Sequence, residues 1–379
     1  MKIAFVGKGG SGKTTVSSQL ARSAAKNGTK VLAIDADINQ RFAETLGLSA
    51  EQAKLVGEVG KQMLDLKAYV KGQNTLLPEA DKIAKTTPAG TGSTLILPFT
   101  DPYLQSLVYH YEGIDVLKTG GFEEEDLGVK CYHAKTGAIE LLLNHLADAD
   151  DELVLVDMTA GADAFASGLF AKFDATFVVV EPTEASVSVW KQYQEYAMIF
   201  DIRLELIANK CMDEADIAYI TESCGTVPCA VIPFSKAIRQ LDRGMRDDGA
   251  LAAELGTSIA HVLALLPTIT PDRKRFQELA IYFHYKNAAA GGGLRVFSSF
   301  AECLLEKTAE PRCRYQCAGQ TANARIRIVI LVINERQVTG VCPFIPIDGG
   351  TALQRLCIPS PLVVFGFQHL LSDEGMAES

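Results

Sequence analysis

The chain lacks any run of about eighteen consecutive apolar residues, the length that marks a membrane-spanning helix. It also lacks a recognisable leader. The opening MKIAFVGKGG sets one Lys before an apolar stretch too short for an h-region, and no small-residue cleavage site follows. A cytoplasmic location with no stable membrane anchor is the expectation. Positive charge is in deficit: 36 Lys and Arg stand against 46 Asp and Glu, a formal net charge of −10. Non-specific nucleic-acid binding needs a basic surface, so no nucleic-acid partner is expected. Nine cysteines in a chain of this kind read as thiols or metal ligands rather than disulfides. Cys131, Cys211, Cys224 and Cys229 are spread through the first part, whereas Cys303, Cys313, Cys317, Cys342 and Cys357 crowd near the end.

Up to about residue 270, short apolar runs alternate with longer amphipathic ones. KIAFV, KVLAID, LVLVD (Leu153 to Asp157), ATFVVVE (Ala175 to Glu181), LELIANK (Leu204 to Lys210) and CAVIPF (Cys229 to Phe234) read as strands, and Thr15 to Asn27 reads as a helix. Continuous apolar runs fit strands buried on both faces, and alternation with helices implies a mostly parallel sheet sandwiched between helices, an α/β fold. In such a sheet the ligand lies beyond the carboxyl ends of the strands. Residues 50–95 read as a helical insertion with one or two helices, closing in the loop TTPAGTGST (Thr86 to Thr94). The division expected is an ATPase-like domain over 1–287 and a tail over 288–379, with AAAGGG (Ala288 to Gly293) as the linker. The tail carries eight basic and eight acidic residues, so the whole net charge belongs to what precedes it. RIRIVILVI (Arg325 to Ile333) is a strand candidate, but no repeating pattern surrounds it, and the tail is assigned no fold. Its Cys313 and Cys317 have no partner pair at zinc spacing.

The chemistry concentrates in GKGGSGKTT, Gly7 to Thr15, which matches G-x-x-x-x-G-K-[ST] directly after a strand and at the start of a helix. Gly7, Gly9, Gly10 and Gly12 let the backbone curl so that its N–H groups, Ser11 included, converge on phosphate oxygens, aided by the helix N-terminus. Lys13 would reach the β- and γ-phosphates of ATP, the Thr14 hydroxyl would ligate Mg²⁺, and Thr15 continues the cradle. Lys8 is a second lysine in a loop that needs only one.

With Lys8 included, the loop reads K-G-G-x-G-K-[ST] and resembles the deviant Walker A family of P-loop ATPases, which includes the nitrogenase iron protein, the Min and Par positioning ATPases and metal-insertion ATPases. The resemblance covers residues 1 to about 287. It implies an ATP-sandwich homodimer in which Lys8 crosses to the partner's phosphates, a cation in trans like an arginine finger. It implies that Asp37, the second aspartate of DAD in LAIDADINQ, positions the attacking water, and that Asp35 lies near Mg²⁺. It makes Asp157 the Walker B acid, Gly161 the switch II glycine, Asn209 an adenine ligand and Pro233 the start of the adenine-side loop. A strand-end structural role for Asn209 stays open beside that one.

VVVEPTEASV (Val178 to Val187), DADINQ and DMTAGADAF look most like the nickel-insertion ATPases that mature carbon monoxide dehydrogenase. The function expected is ATP hydrolysis to ADP and phosphate by a dimeric switch that assists metallocentre assembly in a client metalloenzyme. LGVKCYHAKTGAIELLLNHL (Leu127 to Leu146) falls where relatives carry metal-binding cysteines, yet Cys131 is followed at plus two by His133, and DMTAGADAF holds no cysteine. Two copies of Cys131 and His133 would make a tetrahedral S₂N₂ site for Zn²⁺ or Ni²⁺. The other reading has Cys131 packing at a helix start that His133 caps. A Min/Par-type positioning ATPase is the alternative function. The acidic ending HLLSDEGMAES is unlike the basic amphipathic helix of Min-type proteins, and the net charge disfavours Par-type DNA contacts.

Overall fold

The computed structural model describes residues 1–121, 132–161, 165, 168–290 and two short strands near the end. In chain order the elements are β1 (Lys2–Gly7), α1 (Lys13–Lys26), β2 (Lys30–Ala36), α2 (Phe42–Leu46), α3 (Ala50–Lys54), α4 (Met63–Lys71), α5 (Pro102–Gln105), β3 (Tyr109–Tyr111) and β4 (Ile114–Lys118). There follow α6 (Tyr132–His145), β5 (Glu152–Met158), β6 (Ala175–Val180), α7 (Glu184–Phe200), β7 (Leu204–Cys211), α8 (Glu214–Cys224), β8 (Ala230–Pro233), α9 (Lys236–Asp242), α10 (Asp248–Leu265) and α11 (Arg273–Ala290). The chain divides into two units, Met1–Gly292 and Gly293–Ser379. In the second unit, β9 (Val332–Asn334) pairs antiparallel with β10 (Gln337–Thr339).

The first unit is built on an eight-stranded sheet in the order β3-β4-β2-β5-β1-β6-β7-β8. Every pairing is parallel except β3 with β4. Both alternating sets of strand side chains are buried: Ile3 and Phe5 on one face of β1, Ala4 and Val6 on the other. A parallel sheet of this kind must be covered on both sides. Phe5 and Phe177, register partners on β1 and β6, stack with ring centroids 5.1 Å apart and join a core with Val16 and Leu20 of α1 and Leu251, Leu255 and Val262 of α10. Helix α7 packs on β6, β1 and β7 through Val187, Trp190 and Tyr193, outside that cluster, and so covers the opposite face.

Several expectations are adjusted. The insertion holds α3 and α4, with one 3₁₀ turn between them (Val59–Gln62) and another after α4 (Ala80–Lys82), but Thr86 and Thr87 of the anticipated loop are buried. The antiparallel β3–β4 hairpin was not anticipated. Ala288 to Ala290, read as linker, continue α11; alanine favours helix when no glycine interrupts it. Of the strand candidate in the tail, the described residues include Val332 and Ile333 in β9. Among the described residues one helical stretch, Asp248–Thr268, is long and apolar enough to cross a membrane. Its largest apolar side chains face the sheet core instead.

Candidate functional site

The carboxyl ends of the strands bring the predicted residues to one rim. Gly7 ends β1, Asp35 lies at the end of β2 with Asp37 just beyond, Asp157 lies at the end of β5, and Asn209 sits near the end of β7. The chain leaves β1 through a turn that demands glycine. A Cβ on Gly7, at φ 155°, would sit 2.5 Å from Val179 O. Gly12, at φ 94°, would drive one into the Asn209 amide. Helix α1 begins at Gly12 with no side-chain cap, whereas Thr183, Asp213 and Asp247 cap α7, α8 and α10. The first N–H groups of α1 are thus left to an outside acceptor, and phosphate oxygens suit that position.

Behind the turn lies a buried charged cluster. Lys13 Nζ donates to Asp37 Oδ2 at 2.5 Å. Asp37 Oδ1 accepts from the Asn39 backbone N–H at 2.9 Å and its Nδ2 at 3.0 Å. Thr14 Oγ1 donates to Asp157 Oδ2 at 2.7 Å. Asp35 accepts backbone N–H groups on both oxygens, from Asp37 and Phe42, each at 3.0 Å. Three carboxylates face one ammonium, and Asp35, Asp37 and Asp157 are all nearly inaccessible. Burial, reinforced by mutual repulsion, pushes Asp35 and Asp157 well above the usual carboxylate range. Burial by itself would lower Lys13, but Asp157 and Asp37 outweigh it and hold the ammonium above its ordinary value.

That imbalance bears on magnesium. Asp157 Oδ1 is buried with no hydrogen-bond partner. A hard divalent cation takes oxygen ligands, and the Thr14 hydroxyl beside the Asp157 carboxylate is a donor set that fits it. Asp35, with both oxygens on backbone, braces the loop after β2.

Asn209 is held differently from the adenine role that the resemblance implies. Its Nδ2 donates to Ser11 O at 2.6 Å and its Oδ1 accepts from Lys210 N at 2.9 Å, so here it ties β7 to the loop after β1. Pro233 is the exposed last residue of β8. Gly9 and Gly10 are exposed, Ser11 and Thr15 are buried, and Gly161 takes φ 72° just after β5. Cys131 lies outside the described residues, as does the side chain of His133, whose backbone is in the first turn of α6. Among the described residues no group of three or more His, Cys, Asp or Glu is placed to hold a metal ion.

Two residues at the rim carry no role in the sequence reading. Glu181 follows β6 and Lys210 follows Asn209. Lys210 Nζ donates to Glu181 Oε1 and to Gly10 O, each at 2.5 Å, and Lys8 Nζ stands 3.7 Å from Glu181 Oε2. An acid closing an apolar strand was the available signal for Glu181, and the contact itself spans 29 residues to Lys210.

An uncapped helix that leaves a glycine turn, backed by a lysine and by acids on adjacent parallel strands, defines a P-loop nucleotide-binding domain. The chain belongs to the family described as the CobQ/CobB/MinD/ParA nucleotide binding domain, whose model matches residues 3–270. It is 30% identical over 246 residues to the carbon monoxide dehydrogenase accessory protein CooC of Rhodospirillum rubrum, covering 64% of this chain and 87% of that one. It is 28% identical over 281 residues to an uncharacterized ATP-binding protein of Methanocaldococcus jannaschii, covering 71% of this chain and all of the relative. Among solved structures, the septum site-determining protein MinD with Mg-ADP from Pyrococcus horikoshii is similar at 17% identity and a TM-score of 0.47, over 72% of this chain and 99% of that one.

Proposed function

We propose that the chain is a dimeric ATP switch, hydrolysing ATP to ADP and phosphate, that assists nickel insertion into a client metalloenzyme. The observation that carries the ATPase part is the buried constellation Lys13–Asp37 and Thr14–Asp157 behind an uncapped helix N-terminus. The identity with a carbon monoxide dehydrogenase accessory protein supports the choice of client.

In this reading the N–H groups of the loop and of α1 bind the phosphates, and Lys13 exchanges Asp37 for the β- and γ-oxygens. Release from Lys13 frees the Asp37 carboxylate to orient water. Thr14 and Asp157 would hold Mg²⁺, which neutralises charge on the β- and γ-phosphates. Asp35 keeps the Asp37 loop in register. Lys8 crosses to the second subunit's triphosphate, so that turnover depends on dimerisation. Asn209 turns from Ser11 toward the adenine, beside Pro233. The ATP and ADP states must contact the client differently for hydrolysis to perform work. Cys131 and His133 remain the pair through which Zn²⁺ or Ni²⁺ would be handled between subunits.

Two measurements test this. Sedimentation of the protein with a non-hydrolysable ATP analogue and Mg²⁺ should give a dimer, and with ADP a monomer. Nickel-dependent activation of an apo carbon monoxide dehydrogenase should then require the protein and ATP together. Monomers in both nucleotide states would overturn the switch. Activation that ignores ATP would overturn the client assignment.

A further inference from the structure

The described rim ties Lys8 into an ion cluster with Glu181 and Lys210, two residues that the proposed chemistry leaves without a role. Glu181 lies between two ammonium groups, Lys210 on Oε1 at 2.5 Å and Lys8 on Oε2 at 3.7 Å. The backbone is bent to produce this. Lys210 takes φ 63°, in the left-handed region that a side chain with a Cβ ordinarily avoids, and the register between β7 and β8 shifts between Asn209 and Cys211. Bulges beside active sites serve to re-aim a side chain. Here the bulge turns Lys210 back along the rim to Gly10 O and Glu181.

The two contacts are unequal. Lys210 makes a short charge-assisted hydrogen bond, and its second bond to Gly10 O anchors it to the loop. Lys8 lies beyond hydrogen-bond range, with its side chain 39% exposed, whereas that of Glu181 is 12% exposed. Glu181 is therefore fixed by Lys210 and attracts Lys8, which is partly open to solvent, only through space. Such a hold is weak and screened by salt. It is suited to be displaced by a triphosphate, which offers more charge and more acceptors than one carboxylate.

We propose, on the strength of the dimeric reading above, that Glu181 is a positioning residue that keeps Lys8 in its own subunit until a nucleotide-loaded partner arrives. Lys210 holds the carboxylate in place for that task. In the lone subunit Lys8 lies back toward the end of β6. In the ATP-bound pair it leaves Glu181 for the opposite triphosphate, and Glu181 keeps Lys210. Each subunit must break one Lys8–Glu181 contact to close, so the contact opposes dimerisation twice per dimer. It raises the threshold for closure without touching nucleotide or reacting atoms.

Glu181→Gln keeps the shape and the hydrogen bond to Lys210 while removing the charge. With a saturating non-hydrolysable ATP analogue and Mg²⁺ at low salt, sedimentation velocity should show half-dimerisation at a protein concentration about two- to thirty-fold lower than wild type, the range for two exposed ion pairs. The gap should close by roughly 0.5 M salt, where the Debye length is only a few ångströms. Nucleotide affinity of the monomer should stay unchanged, which separates this effect from a disturbed loop. In a Lys8→Ala background, Glu181→Gln should have no further effect.

Unchanged or weaker dimerisation of Glu181→Gln, with Lys8→Ala still defective, overturns the latch and leaves the dimer intact. A Glu181→Gln effect that persists without Lys8 also overturns it, because the carboxylate would be acting through another group. Dimerisation that is indifferent to Lys8→Ala overturns the trans role of Lys8, and the latch with it.

Discussion

Thr14 Oγ1 and Asp157 Oδ2 meet at 2.7 Å, and the other Asp157 oxygen is buried without a partner. Burial has raised this carboxyl above its ordinary range, so in the nucleotide-free protein its charge is a burden. Asp157→Asn keeps the acceptor for Thr14 and removes the charge. The expected outcome has opposite signs in two assays. The nucleotide-free variant should melt about 2–4 °C higher, the shift that ~1 kcal/mol produces in a domain of this class. Its Mg²⁺-dependent ATP turnover should fall by roughly 10²-fold or more. A variant that melts lower and turns over normally would contradict both halves.

Lys8 and Lys13 are predicted to separate in kinetics. Lys8→Ala should bind ATP with near-normal affinity and lose turnover by about 10³-fold or more, as when a cation supplied in trans is removed. Lys13→Ala should lose nucleotide affinity itself, because its ammonium is the buried one at 2.5 Å from Asp37. Equilibrium binding of a fluorescent ATP analogue, set beside phosphate release, distinguishes the two.

His145 supplies a pH dependence. It is fully buried at the end of α6, its Nδ1 lies 3.0 Å from Leu141 O, and burial lowers its pKa to about 4 from an ordinary 6.5. Between those values the unfolded chain binds a proton that the native chain does not. The contribution is therefore whole above pH 6.5 and is lost as pH falls toward 4. Asp35, Asp157 and His284 carry pH dependences of their own, so the readout is the comparison with His145→Phe, which also removes an unpartnered Nε2. As pH falls from 7 to 5, the urea midpoint of the wild type should drop relative to that of the variant.

Lys172 and Glu140 are buried opposite charges that attract each other through space without an ion-pair contact, a coupling that a double-mutant cycle should detect. Both are essentially inaccessible, Lys172 Nζ has no hydrogen-bond partner, and burial lowers its pKa to about 8. Burial raises Glu140, against the opposing pull of Lys172 and of Lys85, whose Nζ is 3.8 Å away. Lys172→Met removes a charge that burial already disfavours, so its own cost should be small, and it should couple with Glu140→Gln by about 0.5–3 kcal/mol in the cycle. Additive losses in urea denaturation would show that the two do not act as a pair.

The loop from Gly7 to Thr15 and the strands that end in Asp35, Asp157 and Asn209 were legible because each signal is local. A glycine pattern or an apolar run that closes in an acid can be read in one pass. The β3–β4 hairpin was not, because β3 is the three-residue segment Tyr-His-Tyr, and its turn is Glu112-Gly113 rather than a stronger Asn-Gly. Glu112 and Gly113 take φ 46° and 79°, as a two-residue hairpin turn of type I′ requires. Glu181 and Lys210 escaped assignment for another reason. Their meeting with Lys8 and Gly10 exists only after β1, β6 and β7 are laid side by side. The Asn209 amide likewise bonds a carbonyl 198 residues away, a relation that no spacing rule contains.

The sheet's flanks are also informative. One margin is the three-residue β3, and the other is the four-residue β8, which finishes in a proline that has no N–H to donate. Neither offers a neighbouring molecule a long row of hydrogen-bonding groups, so lateral growth strand upon strand is discouraged by construction. Self-association of this unit by strand addition is thereby disfavoured, which leaves the proposed pairing across the crest where Lys8 stands without that competitor.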